Sequence, residues 1–312
     1  MVKIHGVLTV TGKGKRECQD AVKVERIKGT SAVVFALADG AGSAPYGKEG
    51  AEFLVNNFVK TTKEQFLSFN LSRRVSFLEL PLLRKIETSL REVRSNLIEM
   101  SISREIHPES FHSTFIGGLI LQDHFGKSIL VYVSIGDSVI VVLDDELNVA
   151  HTNAITLAEY PNTTVFVTSP EFENVITGGI VRDPKVVFIS SDGMDNIFFS
   201  EKFTAEAKDE KDSLPYYDKF LWEVEPFSNL PRFVKKICSG EMNEEKLKAF
   251  LSMDKVFEYN GDDKSLILFE VKDEPNNESR KDNETAKLFS RGVEQEEEEA
   301  DTPDHQWIDL RT

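Results

Sequence analysis

Cysteine is scarce in this chain: Cys18 and Cys238 are the only two in 312 residues. They are too few for a disulfide framework and lack the paired spacing of a zinc ligand set. A reducing compartment, the cytoplasm, is therefore the expected setting. Long apolar runs are missing too: none can span a bilayer, and Met1–Val10 has no signal-peptide pattern, so no membrane partner is expected. Positive charge is short, with 37 Lys and Arg against 53 Asp and Glu and a net charge of −16, which counts against nucleic acid as the main partner. Several catalytic signatures are also missing. There is no Gly-x-Ser-x-Gly elbow, no EF-hand loop, and no arginine loop after Cys238 of the kind a cysteine phosphatase needs.

What remains is a chain long enough to bury a substantial core, with 40% hydrophobic residues. Apolar content collapses after Val271. Residues 273–312 hold 13 acids and 5 bases, and Glu294–Asp301 is almost pure carboxylate, which self-repels and cannot fold alone. The expected division is a folded domain over 1–272 and an acidic, disordered tail over 273–312, whose Trp307-Ile308-Asp309-Leu310 forms an apolar patch.

The domain is organised around Val33–Gly50. An apolar run, Val33 to Ala38, reads as a buried strand. It stops on Asp39-Gly40, small residues make a loop, and a helix begins near Lys48. A carboxylate at that junction is aimed by a rigid strand while the loop leaves room for a ligand. Upstream, Ile4–Thr11 alternates loosely and runs into the basic loop Gly12-Lys13-Gly14-Lys15-Arg16. Ala21–Lys28 is a strand joined by a Gly29-Thr30 turn to Ser31–Asp39. An antiparallel hairpin of this kind sets Asp20 beside Asp39, far from its turn. Helical spacing marks Lys48–Phe66 and Leu82–Ile106, the second with Leu83, Ile86, Leu90, Val93, Leu97 and Met100. Phe111–Leu121, Ser128–Leu143 and Glu146–Thr152 read as successive strands, the second interrupted by Gly136-Asp137. Asn153–Asp183 is irregular and reads as a flap. Lys185–Ser191 repeats the pattern of apolar strand, acid and glycine at Asp192-Gly193. Helices are expected at Phe233–Ile237 and Glu244–Leu251, before a last strand, Ser265–Val271, which opens on Asp262-Asp263.

Asp20, Asp39, Asp192 and Asp262 thus sit at strand ends, and Asp137 lies in or beside a strand. Carboxylates converging without His or Cys suit a hard divalent ion such as Mg²⁺ or Mn²⁺. Crowded like charges need such cations to coexist. Two readings follow from the residues alone: a metal-assisted hydrolase with water as nucleophile, or a calcium site that only stabilises the fold.

Gln19-Asp20, Ala38-Asp39-Gly40, Ser113-Thr114 with Gly117-Gly118, Ile135-Gly136-Asp137-Ser138, Ser191-Asp192-Gly193 and Asp262-Asp263-Lys264-Ser265 occur in the order and approximate spacing of the type 2C metal-dependent Ser/Thr protein phosphatases. Over residues 5–271 the chain resembles that family, and its bacterial branch in particular. The resemblance implies an α+β fold, a four-layer αββα sandwich of two antiparallel β-sheets flanked by helix pairs, with a two-metal site at one rim. It implies that Asp39 bridges two Mn²⁺ or Mg²⁺ ions and that the Gly40 carbonyl binds one of them. Asp192 and Asp262 would hold the other ion, Asp20 would assist through water, and Asp137 would serve a third, weaker position shared with Asp192. The family's phosphate-binding arginine falls at Lys15 or Arg16, and Arg16 is the one able to make a bidentate contact. The implied partners are phosphorylated proteins and a cognate Ser/Thr kinase, with the chain a monomer. Three places depart from the family. Ala41 stands where many members carry a proton-donating histidine, Gln19 replaces an acid, and the further acid after Asp192-Gly193 falls at Asp195 or, in register, at Asn196. The alternative they raise is a catalytically weak relative that binds phosphoproteins or a kinase partner.

Overall fold

The inner strands carry near-continuous apolar runs and are buried along almost their whole length, because both of their faces are covered, one by the opposite sheet and one by helices. The computed structural model describes residues 1–67, 78–153, 164–194, 197–198 and 230–272. Met1–Glu274 forms one unit. The expected tail lies outside the described residues, as do residues 154–163 of the expected flap, Asp195, Asn196 and residues 199–229.

One sheet contains β1 (Val2–Val10), β6 (Val139–Leu143), β7 (Val149–Thr152), β9 (Val186–Ser190) and β10 (Lys264–Val271), in the order β1-β10-β9-β6-β7. The other contains β2 (Ala21–Arg26), β3 (Val33–Ala38), β4 (Phe115–Gln122), β5 (Ser128–Ile135) and β8 (Thr177–Arg182), in the order β2-β3-β4-β5-β8. Every pairing is antiparallel. Phe35, Leu37, Ile116, Ile140, Ile189 and Phe269 meet between the sheets. On the outer face of the second sheet lie α1 (Gly47–Leu67) and α2 (Glu79–Ser103), packing Leu54, Phe58, Leu82, Ile86, Leu90 and Val93. The buried stripe of α2 includes Leu82, with Leu83 and Met100 only partly covered. The first sheet packs Leu8, Phe188 and Leu268 against α4 (Leu230–Cys238) and α5 (Glu244–Leu251). A short α3 (Phe172–Val175) and α6 (Asp254–Tyr259) complete the described helices. The result is the expected α+β sandwich of two antiparallel sheets flanked by helix pairs. Among the described residues, no helix is long and apolar enough to cross a membrane.

Three local expectations are corrected. Ser128–Leu143 is two strands in two sheets, because Gly136, at φ +90°, turns the chain from β5 into β6. Residues 111–114 precede β4, with Pro108–Phe111 wound into a 3₁₀ turn. Thr177–Arg182, expected as irregular chain, pairs with β5 as an edge strand; its Thr177-Gly178-Gly179 start hides the strand pattern.

Candidate metal centre

Strand register brings the predicted acids to one rim of the sandwich. Ala21 pairs with Ala38, so Asp20 and Asp39 flank the same end of the β2–β3 ladder. In the other sheet Val139 and Leu266 both pair with Ser190. That places Asp137, Asp192 and the Asp262-Asp263 pair at the matching ends of β6, β9 and β10.

Asp39 is the middle of a row. Its carboxyl lies in hydrogen-bonding contact with Asp20 on one side and Asp192 on the other. Burial, then the charges of Asp20 and Asp192, push it from 3.8 up to about 11. Asp20, only 6% exposed, is raised to about 6 by burial, even though Ser191 Oγ donates to its Oδ2 at 2.9 Å. Burial and then Asp137 raise Asp192 to about 7. The Oδ1 atoms of Asp20 and Asp192 are fully buried and make no hydrogen bond of normal geometry, although the Ser265 hydroxyl lies near enough to Asp20 to hold its carboxyl down. Three carboxyls that cannot all ionise side by side, with two buried oxygens that make no hydrogen bond, form an all-oxygen set suited to a hard cation and hostile to an anion.

The backbone adds a further oxygen. Continuing the β2–β3 ladder would pair Gly40 with Gln19, and Gly40 N–H does donate to Gln19 O at 3.2 Å. The reciprocal bond is diverted, because Gln19 N–H donates to Asp263 Oδ2 at 2.9 Å. The Gly40 carbonyl thus loses its ladder partner beside the acid row.

Asp137 is raised by burial and accepts from Thr164 Oγ1 at 2.9 Å. Asp262 stands slightly apart. Its side chain is about half exposed and pairs with Lys15 Nζ, and it acts on Asp192 and Asp137 through charge alone. Burial pulls Lys15 down, but its hydrogen bonds to Asp262 and Asp263 outweigh that and lift it above the usual lysine range. Arg16 is exposed in the same loop.

Asp263 is the residue that sequence reasoning passed over. It is 1% exposed and accepts from Gly12 N–H at 2.6 Å, Gln19 N–H at 2.9 Å and Lys15 Nζ at 3.1 Å. It staples the Gly12–Arg16 loop and the start of β2 to the start of β10. Adjacent acids look alike in the sequence; the hint was that only the second precedes the strand directly. Gly193 belongs to the same packing, since a Cβ there would lie 1.7 Å from Asp263 O.

The chain belongs to the protein phosphatase 2C family, whose model matches residues 12–252. Metal-dependent dephosphorylation of Ser/Thr is the general activity of that family. No curated protein matches by sequence. Among solved structures, a variant of a bacterial serine phosphatase is 13% identical, with a TM-score of 0.52 over 87% of this chain and 98% of its own. A second variant of a bacterial serine phosphatase is 13% identical, with a TM-score of 0.50 over 88% and 98%. The Ser/Thr phosphatase Stp1 from Staphylococcus aureus is 14% identical, with a TM-score of 0.49 over 87% and 94%. At 13% identity the likeness to the two serine phosphatase variants is one of fold.

Proposed function

We propose that this chain is an active Mn²⁺- or Mg²⁺-dependent phosphatase that removes phosphate from Ser and Thr of protein substrates. The observation that carries this reading is the row Asp20–Asp39–Asp192, with its two buried oxygens that make no hydrogen bond, beside the freed Gly40 carbonyl. Asp39 and the Gly40 carbonyl would hold a pair of ions at the centre of the row. Asp192 and Asp262 would hold one flank, Asp20 the other, and Asp137 a third position. When bound, such ions would supply the positive charge that activates water and offsets the negative charge of the phosphoryl group.

The chain's own groups divide the remaining work. Arg16, exposed on the rim loop, orients the phosphate through its planar fork. Asp263 holds that loop against β10, and Ser191 fixes the face of Asp20 by donating to Oδ2. With Ala41 after Asp39-Gly40, no side chain at that position donates a proton to the leaving alkoxide, so the proton comes from water or another residue. The protein works as a monomer in the cytoplasm, opposite a Ser/Thr kinase; the well-separated free thiols Cys18 and Cys238 suit that compartment.

A second reading draws on Lys15, whose Nζ sits on Asp262 and Asp263 and neutralises part of the rim. On it the chain is a weak relative that binds phosphoproteins without turnover. Hydrolysis of p-nitrophenyl phosphate and a phosphoserine peptide, titrated with Mn²⁺ and reversed by chelator, supports the enzyme. Peptide binding without phosphate release supports the second reading.

A further inference from the structure

At the end of the first sheet remote from the rim, three side chains from distant parts of the chain converge. They are His5 of β1, Cys238 at the end of α4 and Glu270 of β10, with one ligand atom of each within 4.8 Å of the other two. His5 Nε2 and Glu270 Oε2 lie 2.8 Å apart. Glu270 follows Lys264, which faces the rim, by six residues of strand, so about 20 Å separates the two places.

The fold departs from its own pattern to make this cluster. Along β10, Ile267, Phe269 and Val271 point between the sheets, while Leu266 and Leu268 pack under the helices. Glu270 is the next residue on that helix-covered face and puts a carboxylate where the alternation calls for an apolar side chain. Opposite it, the β1–β10 register slips between Ile4 and Gly6, with Ile4 on Phe269 and Gly6 on Leu268. His5 is the extra residue of a bulge, a device that re-aims a side chain. Its side chain is only 6% exposed, yet lies against Glu270. Cys238 continues the buried Val234 side of α4 and packs at the edge of the same core. Lys272 Nζ, 3.4 Å from Glu270 Oε2, is the neighbouring cation. A cavity of about 710 Å³, with Cys238, Glu270, Lys185 and Lys272 in its wall, gives access from solvent.

The geometry points to a second metal site, selective for Zn²⁺ or a similar borderline-soft ion, formed by His5 Nε2, Cys238 Sγ and a Glu270 carboxylate oxygen. Imidazole, thiolate and carboxylate are a zinc-type donor set, whereas the all-oxygen rim suits Mg²⁺ or Mn²⁺. Three protein ligands leave a fourth tetrahedral position for water or a ligand from the cavity. An ion there ties the end of α4 to β1 and β10. The site is independent of whether the rim is catalytic.

Cobalt titration of the metal-stripped full chain tests it, because a thiolate bound to Co²⁺ gives a near-ultraviolet charge-transfer band that carboxylates do not. One equivalent of Co²⁺ is expected to develop the band, and Zn²⁺ to bleach it. Cys238→Ser should abolish it, while Cys18→Ser and Asp39→Asn keep it. His5→Ala and Glu270→Gln, checked for folding by circular dichroism, should weaken binding by about 100-fold or more, beyond the usual loss for an outer partner. No band from correctly folded wild-type protein, or a band that survives Cys238→Ser, overturns the assignment.

Discussion

Replacing Asp39 with asparagine should make the metal-free protein more stable, although it removes the residue at the centre of the acid row. The reason is the proton. Asp39 titrates near 3.8 as an ordinary carboxyl and near 11 between Asp20 and Asp192. A group whose folded pKa is raised contributes stability below its unfolded pKa and loses it as pH climbs toward the folded value. From about pH 4 upward, the metal-free fold must therefore hold a proton that the unfolded chain has released, at about 1.36 kcal/mol per pH unit. The asparagine amide carries its N–H donors permanently, so it can face Asp20 and Asp192 without that cost. Between pH 5 and pH 8 the advantage of Asp39→Asn over wild type should widen by up to about 4 kcal/mol. In a domain of this size that corresponds to about 8–16 °C in Tm. The assay is thermal unfolding of both proteins in chelator at the two pH values. Adding Mn²⁺ should reverse the order, because only wild type keeps the central ligand. A variant less stable than wild type in chelator at both pH values, or a difference that does not change with pH, refutes the electrostatic reasoning.

Other perturbations separate the roles of neighbouring residues. Asp263→Ala leaves the Gly12 and Gln19 N–H groups and Lys15 Nζ without their buried acceptor. Lys15 keeps Asp262, so the cost is that of two unsatisfied backbone donors, about 2–4 kcal/mol, read by urea unfolding; a loss under about 1 kcal/mol would show that Asp263 is not the staple. Gly193→Ala places a Cβ on Asp263 O, so a sharp fall in Tm and in soluble yield is expected, and an unperturbed Tm contradicts the packing. Arg16→Ala should leave Tm unchanged but lower kcat/KM on a phosphopeptide by about 10–100-fold, the worth of a charge-assisted hydrogen bond. An unchanged kcat/KM removes Arg16 from phosphate recognition.

Much of this architecture is legible in the chain because the inner strands are buried on both faces, which turns them into apolar runs bounded by glycine and acid. The meeting of Asp20 with Asp39 follows from one hairpin, since the start of one strand must lie beside the end of its partner. The same uniformity hides the break between β5 and β6. Ile135 and Val139 are equally buried, so only Gly136 marks the passage to the other sheet. Choosing between Asp262 and Asp263 needs the register that sets Lys264 against Val10, a long-range pairing with no local trace. His5, Cys238 and Glu270 are illegible for a related reason. Their approach depends on a bulge in β1 and on where α4 ends, and Cys238 alone has no metal-type spacing.

The most direct measurement is an anomalous-difference map from a crystal soaked in Mn²⁺. Peaks are expected within ligand distance of Asp39, flanked by Asp20 and Asp192 and touching the Gly40 carbonyl. A well-ordered rim with no Mn²⁺ peak, or Mn²⁺ bound only elsewhere, would contradict the claim that these acids are gathered to hold cations.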